Sequence, residues 1–440
     1  MLEVSCSACG TSVREEIALR MSVAAAASSP LPRTLLQPTL LQPFYPALNG
    51  MRGIAILLVY LDHYGFAVPG FAWLQGGWIG VDLFFVLSGF LITGGLFDTV
   101  GERRYLPSFY AKRALRIFPL YYGFWTAALF LASVQMLALP PGWWLWLLYA
   151  GNLKTLQQVV HGDLFSLHAL YLQGNHVVIP VEINQFWSLC VEEQFYFVWP
   201  MVVYFTRDRR RLMGLCILLA AMSLVGRIGI FIFAPHAVAF SEFSYHQTYV
   251  RMDGLSMGAF LALWLRGTGP SRLRYRPMLV ASASVSLGGF CGYLLYSFVH
   301  TRNWQSALTR DLGSPWSSTV ALTLAPLLGV ALLLACLPGR SWIARACSFR
   351  PLQELGRISY GFYLLHLLPY GFLMSLLDVH HPRRSSVLVV TGWFAACWAL
   401  SSMSYRYFES PFLRMKDRLA RSASPTHHRL PTEPREVPAG

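Results

Sequence analysis

The sequence predicts an all-α protein: a multi-pass transmembrane helical bundle of about ten spans with one short re-entrant or interfacial helix. Three observations lead to this fold class. Hydrophobic residues make up 55% of the 440 residues and charged residues only 13%, against roughly 25% charged residues in soluble domains. Apolar runs close to the length needed to cross a bilayer, about 20 residues, recur along the chain. Basic residues concentrate in alternate loops between these runs.

The order of the apolar runs defines the predicted organisation. Residues 1–42 are expected to form a disordered cytoplasmic extension, residues 43–414 the transmembrane domain, and residues 415–440 a disordered cytoplasmic tail. The aromatic run 143–150 is too short to cross and is therefore predicted to be the re-entrant or interfacial helix. The predicted spans are 50–67, 78–96, 117–137, 186–205, 212–233, 249–265, 278–299, 319–337, 358–377 and 387–407.

Loop charges predict the orientation of the bundle. With the N-terminus inside, every inner loop carries more Lys and Arg than the outer loops beside it. The positive-inside rule then places both termini in the cytoplasm. A location in the plasma (inner) membrane is expected. Basic cytoplasmic loops next to an anionic lipid leaflet explain the net charge of +14. No nucleic-acid partner is therefore expected.

The first span contains a cation near its start, Arg52, and a histidine near its end, His63. They are 63 − 52 = 11 positions apart, which at about 100° per residue places both side chains on one helical face. At about 1.5 Å per residue, the two positions lie roughly 16 Å apart along the helix. The pair suits a molecule with an anionic head at the membrane surface and a reactive end deeper inside. The alternative is a flanking arginine that sets orientation and a buried, hydrogen-bonded histidine.

Two further groups of charged residues are candidates for function, because ionisable residues within spans are costly. Glu192 lies in the fourth span, where a carboxylate near a histidine suits acid–base chemistry; a structural ion pair with Arg251 is the alternative. Arg113 and Arg116 lie at i, i+3 on one helical turn, and paired guanidinium groups suit phosphates. Ordinary positive-inside charge is the alternative for this pair. Cys6 and Cys9 form a lone CxxC, so no metal site is predicted.

Seven segments at these positions resemble the acyltransferase family 3 membrane proteins, which include O-acetylases of bacterial surface polysaccharides. The resemblance covers residues 44–414 and the segments follow the family order. They are PALNGMRGIAILLVYLDH, GWIGVDLFFVLSGFLIT, FYAKRALRIFPLYY, FWSLCVEEQFYFVWP, RMDGLSMGAFLA, ISYGFYLLHLLP and YRYFESPF. One departure is Asn49, where family members often have aspartate; another is the single His63, followed by Tyr64, where many have two histidines.

The resemblance implies an acyl-CoA donor at the cytoplasmic face and an acceptor hydroxyl outside. It implies that His63 is the catalytic histidine, and that Arg52, Arg113 and Arg116 bind the phosphates of the donor. Glu192 matches the glutamate of the family's SLxVE stretch and is expected to orient or charge-balance the imidazole of His63.

The sequence thus predicts a membrane O-acyltransferase that moves an acyl group, with acetyl expected, from acyl-CoA to a hydroxyl of an extracytoplasmic carbohydrate or glycoconjugate. The general-base and acyl-histidine roles of His63 both remain open. The alternative function is a membrane transporter or flippase of a glycan or lipid-linked precursor, with the same charges lining a solute path.

Overall fold

The computed structural model describes most of the domain predicted for residues 43–414. The described residues are 46–68, 76–139, 142–154, 169–174, 177–233, 245–267, 271–302, 317–337, 341–370, 372–373 and 384–423. The extension predicted at 1–42 and the tail from 424 lie outside these residues. The boundary predicted at 414 falls within a helix that continues to Ala423.

The described part of the chain is mostly helical, as the composition predicted. The helices are α1 Pro46–Tyr64, α2 Ile79–Thr99, α3 Tyr105–Ser133, α4 Trp144–Leu147, α5 Phe186–Thr206, α6 Arg209–Phe233, α7 Thr248–Leu265, α8 Ser271–Thr301, α9 Leu322–Cys336, α10 Trp342–Cys347, α11 Arg350–Arg357, α12 Ser359–Leu365, α13 Arg384–Met403 and α14 Ser410–Ala423. Short 3-10 turns cover Gly65–Ala67 and Gly151–Lys154, and π-helical turns cover Ser317–Ala321 and Ser404–Glu409.

A small β-sheet corrects the all-α prediction. Strands β1 Leu137–Ala138, β2 Ala169–Gly174 and β3 Val177–Glu182 form an antiparallel sheet in the order β1-β2-β3. No strand is predicted between the spans 117–137 and 186–205, but β3 has the sequence VVIPVE, and β-branched residues favour strands. The sheet leads directly into α5, which carries Glu192.

Six helices among the described residues are long and apolar enough to cross a membrane, by length and composition. They are Gly76–Thr99, Tyr105–Ser133, Arg209–Ile232, Tyr275–Tyr296, Thr319–Cys336 and Ser386–Lys416. The predicted count of ten is not confirmed. Three of the other predicted spans, in α1, α5 and α7, carry charged side chains, which lower their hydropathy. The span predicted at 358–377 begins as the seven-residue α12, and the aromatic run 143–150 forms only the four-residue α4.

Helix α1 packs against its neighbours through glycines. A Cβ atom added at Gly50 would clash with the carbonyl oxygen of Cys347, and one added at Gly53 would clash with that of Leu352. From the other side, a Cβ at Gly356 would clash with the carbonyl of Asn49. The backbones of α1 and α11 therefore approach more closely than any larger residue permits. This contact fixes the end of α1 that carries Arg52.

We predict that Gly53→Ala destabilises the protein, because the added methyl group meets backbone that cannot rotate away. Overpacking of this kind costs about 1–3 kcal/mol. The matched control is Gly95→Ala in α2, where no atom lies within 4 Å of the added Cβ and where alanine favours the helix by up to about 1 kcal/mol. Thermal unfolding in detergent should show a lower midpoint for Gly53→Ala and an unchanged or higher one for Gly95→Ala. Equal midpoints for the two variants would contradict this contact.

Candidate active site

Helix α1 directs Arg52 and His63 toward two neighbouring cavities in the helical bundle. Arg52 lines a cavity of about 100 Å³, and His63 lines a smaller one of about 40 Å³. The helical spacing of 11 positions placed the two side chains on one face, and the structure has both facing the bundle on that side.

The larger cavity, called the arginine cavity below, is lined by all three arginines that were identified as candidates in the sequence. Arg52 comes from α1, and Arg113 and Arg116 come from α3. The guanidinium carbon of Arg113 lies 3.9 Å from the centroid of the Tyr196 ring, a cation–π contact. Arg52 donates from Nη1 to Oδ1 of Asn49 at 3.3 Å, so Asn49 orients this arginine although it cannot supply the charge of an aspartate.

None of these three arginines forms an ion pair with a carboxylate within the described residues. Other arginines behave differently: Arg251, Arg266 and Arg227 each lie within 3.1 Å of an aspartate oxygen. Nε of Arg113 is buried and has no hydrogen-bond partner in the described structure. Glu192 and Glu193 also line this cavity, but three convergent guanidinium groups without a direct ion pair still suit a multiply charged anion such as a phosphate ester.

Glu192 lies in the arginine cavity and not beside His63. Its Oε1 accepts a hydrogen bond from Oγ of Ser88 at 2.6 Å, and Oγ of Ser88 in turn accepts one from the hydroxyl of Tyr196 at 2.7 Å. Glu192 and His63 line different cavities, so the direct contact expected between them is absent from the described structure. The alternative of an ion pair between Glu192 and Arg251 is also wrong, because Arg251 pairs with Asp82.

The smaller cavity presents His63 in a defined tautomer. Its Nδ1 lies 2.7 Å from the carbonyl oxygen of Val59. A carbonyl only accepts hydrogen bonds, so Nδ1 carries the proton and the neutral ring has its lone pair on Nε2. The ring of His366 packs edge-to-face against that of His63, with centroids 5.3 Å apart, and its own Nδ1 lies 2.7 Å from the carbonyl of Tyr363. This geometry suits Nε2 of His63 to act as a general base.

Val81 and Tyr363 line both cavities, so a single layer of side chains separates the arginines from His63. The hydroxyl of Tyr363 donates to the carbonyl of Gln185 at 3.0 Å, which holds the ring in place.

Two buried ion pairs connect α7 to α2 and to α6. Arg251 lies 3.1 Å from Asp82, and Arg227 lies 2.8 Å from Asp253. The guanidinium of Arg251 also lies 4.8 Å from the ring centroid of Tyr245 and 5.6 Å from that of Trp187. The two ion pairs therefore link α2, α6 and α7, and Arg251 also helps to fix the aromatic rings beside His63.

Glu182 lies at the end of β3, outside the predicted spans, and its carboxyl group makes the free energy of unfolding depend on pH. Burial raises its pKa from an ordinary value of 4.5 to about 7. Between these values the folded protein binds more protons than the unfolded chain, so stability falls as the pH rises through this window. We predict that the thermal midpoint of the wild-type protein falls more between about pH 4.5 and 7 than that of Glu182→Gln. Parallel midpoint curves for the two proteins would contradict this role.

Sequence reasoning missed several residues of the two cavities. Ser88 and Tyr196 are 108 positions apart and meet only because α2 packs against α5. A partial signal existed, since Glu192 and Tyr196 lie at i, i+4 on one helical face. Asn184 and Gln185 precede α5, and nothing in their spacing marked them. Among the described residues, no group of three or more His, Cys, Asp or Glu side chains could hold a metal ion.

Comparison with known proteins gives the family. The profile described as an acyltransferase domain matches residues 45–402. The peptidoglycan O-acetyltransferase OatA of Listeria monocytogenes is 25% identical over 84% of this chain and 56% of its own length. YrhL of Bacillus subtilis, provisionally named a peptidoglycan O-acetyltransferase, is 28% identical over 84% of this chain and 55% of its own length.

A Staphylococcus aureus protein provisionally named an O-acetyltransferase is 26% identical over 84% of this chain. The chain thus spans somewhat more than half the length of these relatives. No solved structure matches. Since the family profile covers most of the chain and includes all three arginines and His63, the protein belongs to acyltransferase family 3.

Proposed function

We propose that this protein is a membrane O-acyltransferase that moves an acyl group, with acetyl expected, from acyl-CoA to a hydroxyl of an extracytoplasmic carbohydrate. The observation that carries the proposal is the cluster of Arg52, Arg113 and Arg116, which line one cavity without a carboxylate ion pair in the described structure. Coenzyme A carries several phosphate groups at one end of a long arm and its thioester at the other. Guanidinium groups bind phosphates by charge-assisted, bidentate hydrogen bonds.

In this proposal, the arm of the donor passes Val81 and Tyr363 and brings the thioester to His63. The distance of roughly 16 Å between the two α1 positions suits an arm that joins the phosphates to the reacting sulfur. The polar chain of Tyr196, Ser88 and Glu192 lies along the donor side. It offers hydroxyl groups and a carboxylate to the amide and hydroxyl groups of the arm. Glu192 then acts on the donor side, and not as the partner of the imidazole.

The transfer step follows from the tautomer of His63. Nε2 removes the proton of the acceptor hydroxyl as the oxygen attacks the thioester carbonyl. The new carbon–oxygen bond forms, the carbon–sulfur bond breaks, and the leaving thiolate takes the proton from the imidazolium. The carbonyl of Val59 holds Nδ1–H throughout and stabilises the charged ring. The imidazole is thus regenerated at the end of each cycle.

The acceptor is proposed from the relatives, which include proteins named for the O-acetylation of peptidoglycan. The predicted orientation, with the arginine end of α1 at the cytoplasmic face, would place the donor inside and the acceptor outside. The same positive-inside pattern supports cytoplasmic termini, and an inner-membrane location is part of this proposal.

The direct test is transfer by the full-length protein reconstituted in lipid vesicles. We expect it to release coenzyme A from acetyl-CoA and to attach radiolabelled acetyl groups to peptidoglycan fragments as alkali-labile esters. Movement of a glycan across the vesicle membrane without loss of the thioester would favour the transporter alternative. The absence of thioester turnover would overturn the proposal.

A further inference from the structure

The segment between β3 and α5 places two side-chain amides at the His63 cavity. Asn184 and Gln185 both line it. Gln185 is only 3% exposed. Its side-chain Nε2 donates to the backbone carbonyl of Leu364 at 3.0 Å, and its backbone carbonyl accepts from the hydroxyl of Tyr363. The position of this amide is therefore fixed by α12.

The amide oxygens of both residues lack partners. Oδ1 of Asn184 and Oε1 of Gln185 are buried and accept no hydrogen bond from any described residue. A buried acceptor that has lost its water without gaining a donor is costly to the fold. Because both residues line one polar cavity, a ligand bound there can supply the missing donors after a small rotation of the amides. Hydroxyl groups are donors of this kind.

The remaining walls of the cavity fit a carbohydrate. Trp187 and Tyr245 give it two aromatic rings, and Asp62 and His246 add polar groups. The guanidinium group of Arg251 packs against both rings and forms an ion pair with Asp82. These contacts restrict the rotation of the two rings. The volume of about 40 Å³ compares with roughly 10–15 Å³ for one water measured in the same way. The cavity can therefore admit a hydroxyl-bearing edge of a sugar, but not a whole ring.

We propose that Asn184 and Gln185 bind the acceptor, by accepting hydrogen bonds from hydroxyl groups of the carbohydrate next to the one that reacts at His63. This inference rests on the proposed acyl transfer and adds the residues that select and orient the acceptor. The two amides are binding residues: they set where the sugar edge sits relative to Nε2 of His63 and take no part in the proton transfer. Acceptors without a neighbouring hydroxyl should be poor substrates.

The test compares two variants that keep side-chain shape but remove the amide, Asn184→Leu and Gln185→Met. The full chain in lipid vesicles is assayed with acetyl-CoA and lysozyme-released peptidoglycan fragments. We expect each variant to raise the apparent KM for the fragments about tenfold, the effect of losing one well-placed hydrogen bond. The KM for acetyl-CoA should change less than twofold.

The matched control is Gln353→Met, which removes an amide that donates to the backbone carbonyl of Ser348 and lines neither cavity. Gln185→Met also loses the hydrogen bond to Leu364, and this loss can disturb folding. Asn184→Leu avoids that problem, because the side chain of Asn184 makes no hydrogen bond within the described residues.

The outcomes separate this inference from the proposed function. An unchanged fragment KM in Asn184→Leu, or an equal rise in both KM values, would overturn the acceptor role while leaving acyl transfer intact. A wild-type protein that hydrolyses acetyl-CoA but never labels the fragments would also overturn it. A wild-type protein that does not turn over acetyl-CoA would overturn the proposed function and this inference together.

Discussion

Replacing His63 with alanine is expected to lower acyl transfer by about 100- to 10,000-fold, the usual contribution of a positioned general base. The reason is geometric. The carbonyl of Val59 holds the proton on Nδ1, so Nε2 is the basic atom, and the cavity beside it contains the polar groups that would meet an acceptor. The measurement is the initial rate of ester formation from radiolabelled acetyl-CoA by purified protein.

Two controls distinguish a chemical loss from a folding loss. The KM for acetyl-CoA should stay within a few fold of the wild-type value, because His63 does not line the arginine cavity. Imidazole added to the assay should restore part of the rate, since it can occupy the space left by the side chain and accept the proton. Transfer by His63→Ala at the wild-type rate would show that another group performs this step.

Removal of both Arg113 and Arg116 is expected to raise the KM for acetyl-CoA by at least about 100-fold. A hydrogen bond to a charged group contributes about 1.5–3 kcal/mol, so the loss of two corresponds to about 3–6 kcal/mol. Arg113 is also held against Tyr196, which reduces the ordering cost of binding. Steady-state kinetics of Arg113→Ala with Arg116→Ala, at saturating acceptor, measure the effect.

The matched control removes two arginines that lie outside both cavities, Arg357 and Arg406. Arg357 is half-exposed and pairs with Glu354, and Arg406 is exposed. This control variant lowers the net positive charge by the same amount, so it corrects for long-range attraction of the anionic donor. A KM that rises equally in both double variants would mean that general charge, and not the arginine cavity, holds the donor.

The helical period explains why the relation between Arg52 and His63 could be predicted from sequence. Both residues lie on one regular helix, so their angular relation depends on their separation alone. The same argument placed Arg113 beside Arg116. In each case the prediction needed no knowledge of how the helices pack.

Relations between helices could not be predicted in this way. The partner of Glu192 depends on the packing of α2 against α5, which brings Ser88 and Tyr196 together. It also depends on the packing of α7 against α2, because Arg251 then pairs with Asp82. The predicted count of ten spans is not confirmed, because the charges of α1, α5 and α7 lower the hydropathy of these helices. The sheet was missed because β2 and β3 are short strands between the predicted spans, in a segment to which no element was assigned.

The central claim is that one donor molecule joins the arginine cavity to His63, and a cryo-electron microscopy map of the protein with coenzyme A tests it most directly. The account predicts phosphate density within hydrogen-bond distance of Arg52, Arg113 and Arg116. It also predicts that the arm passes between Val81 and Tyr363, with its sulfur next to Nε2 of His63. Coenzyme A bound elsewhere, or a thiol that ends on the arginine side of an unmoved Tyr363, would contradict it.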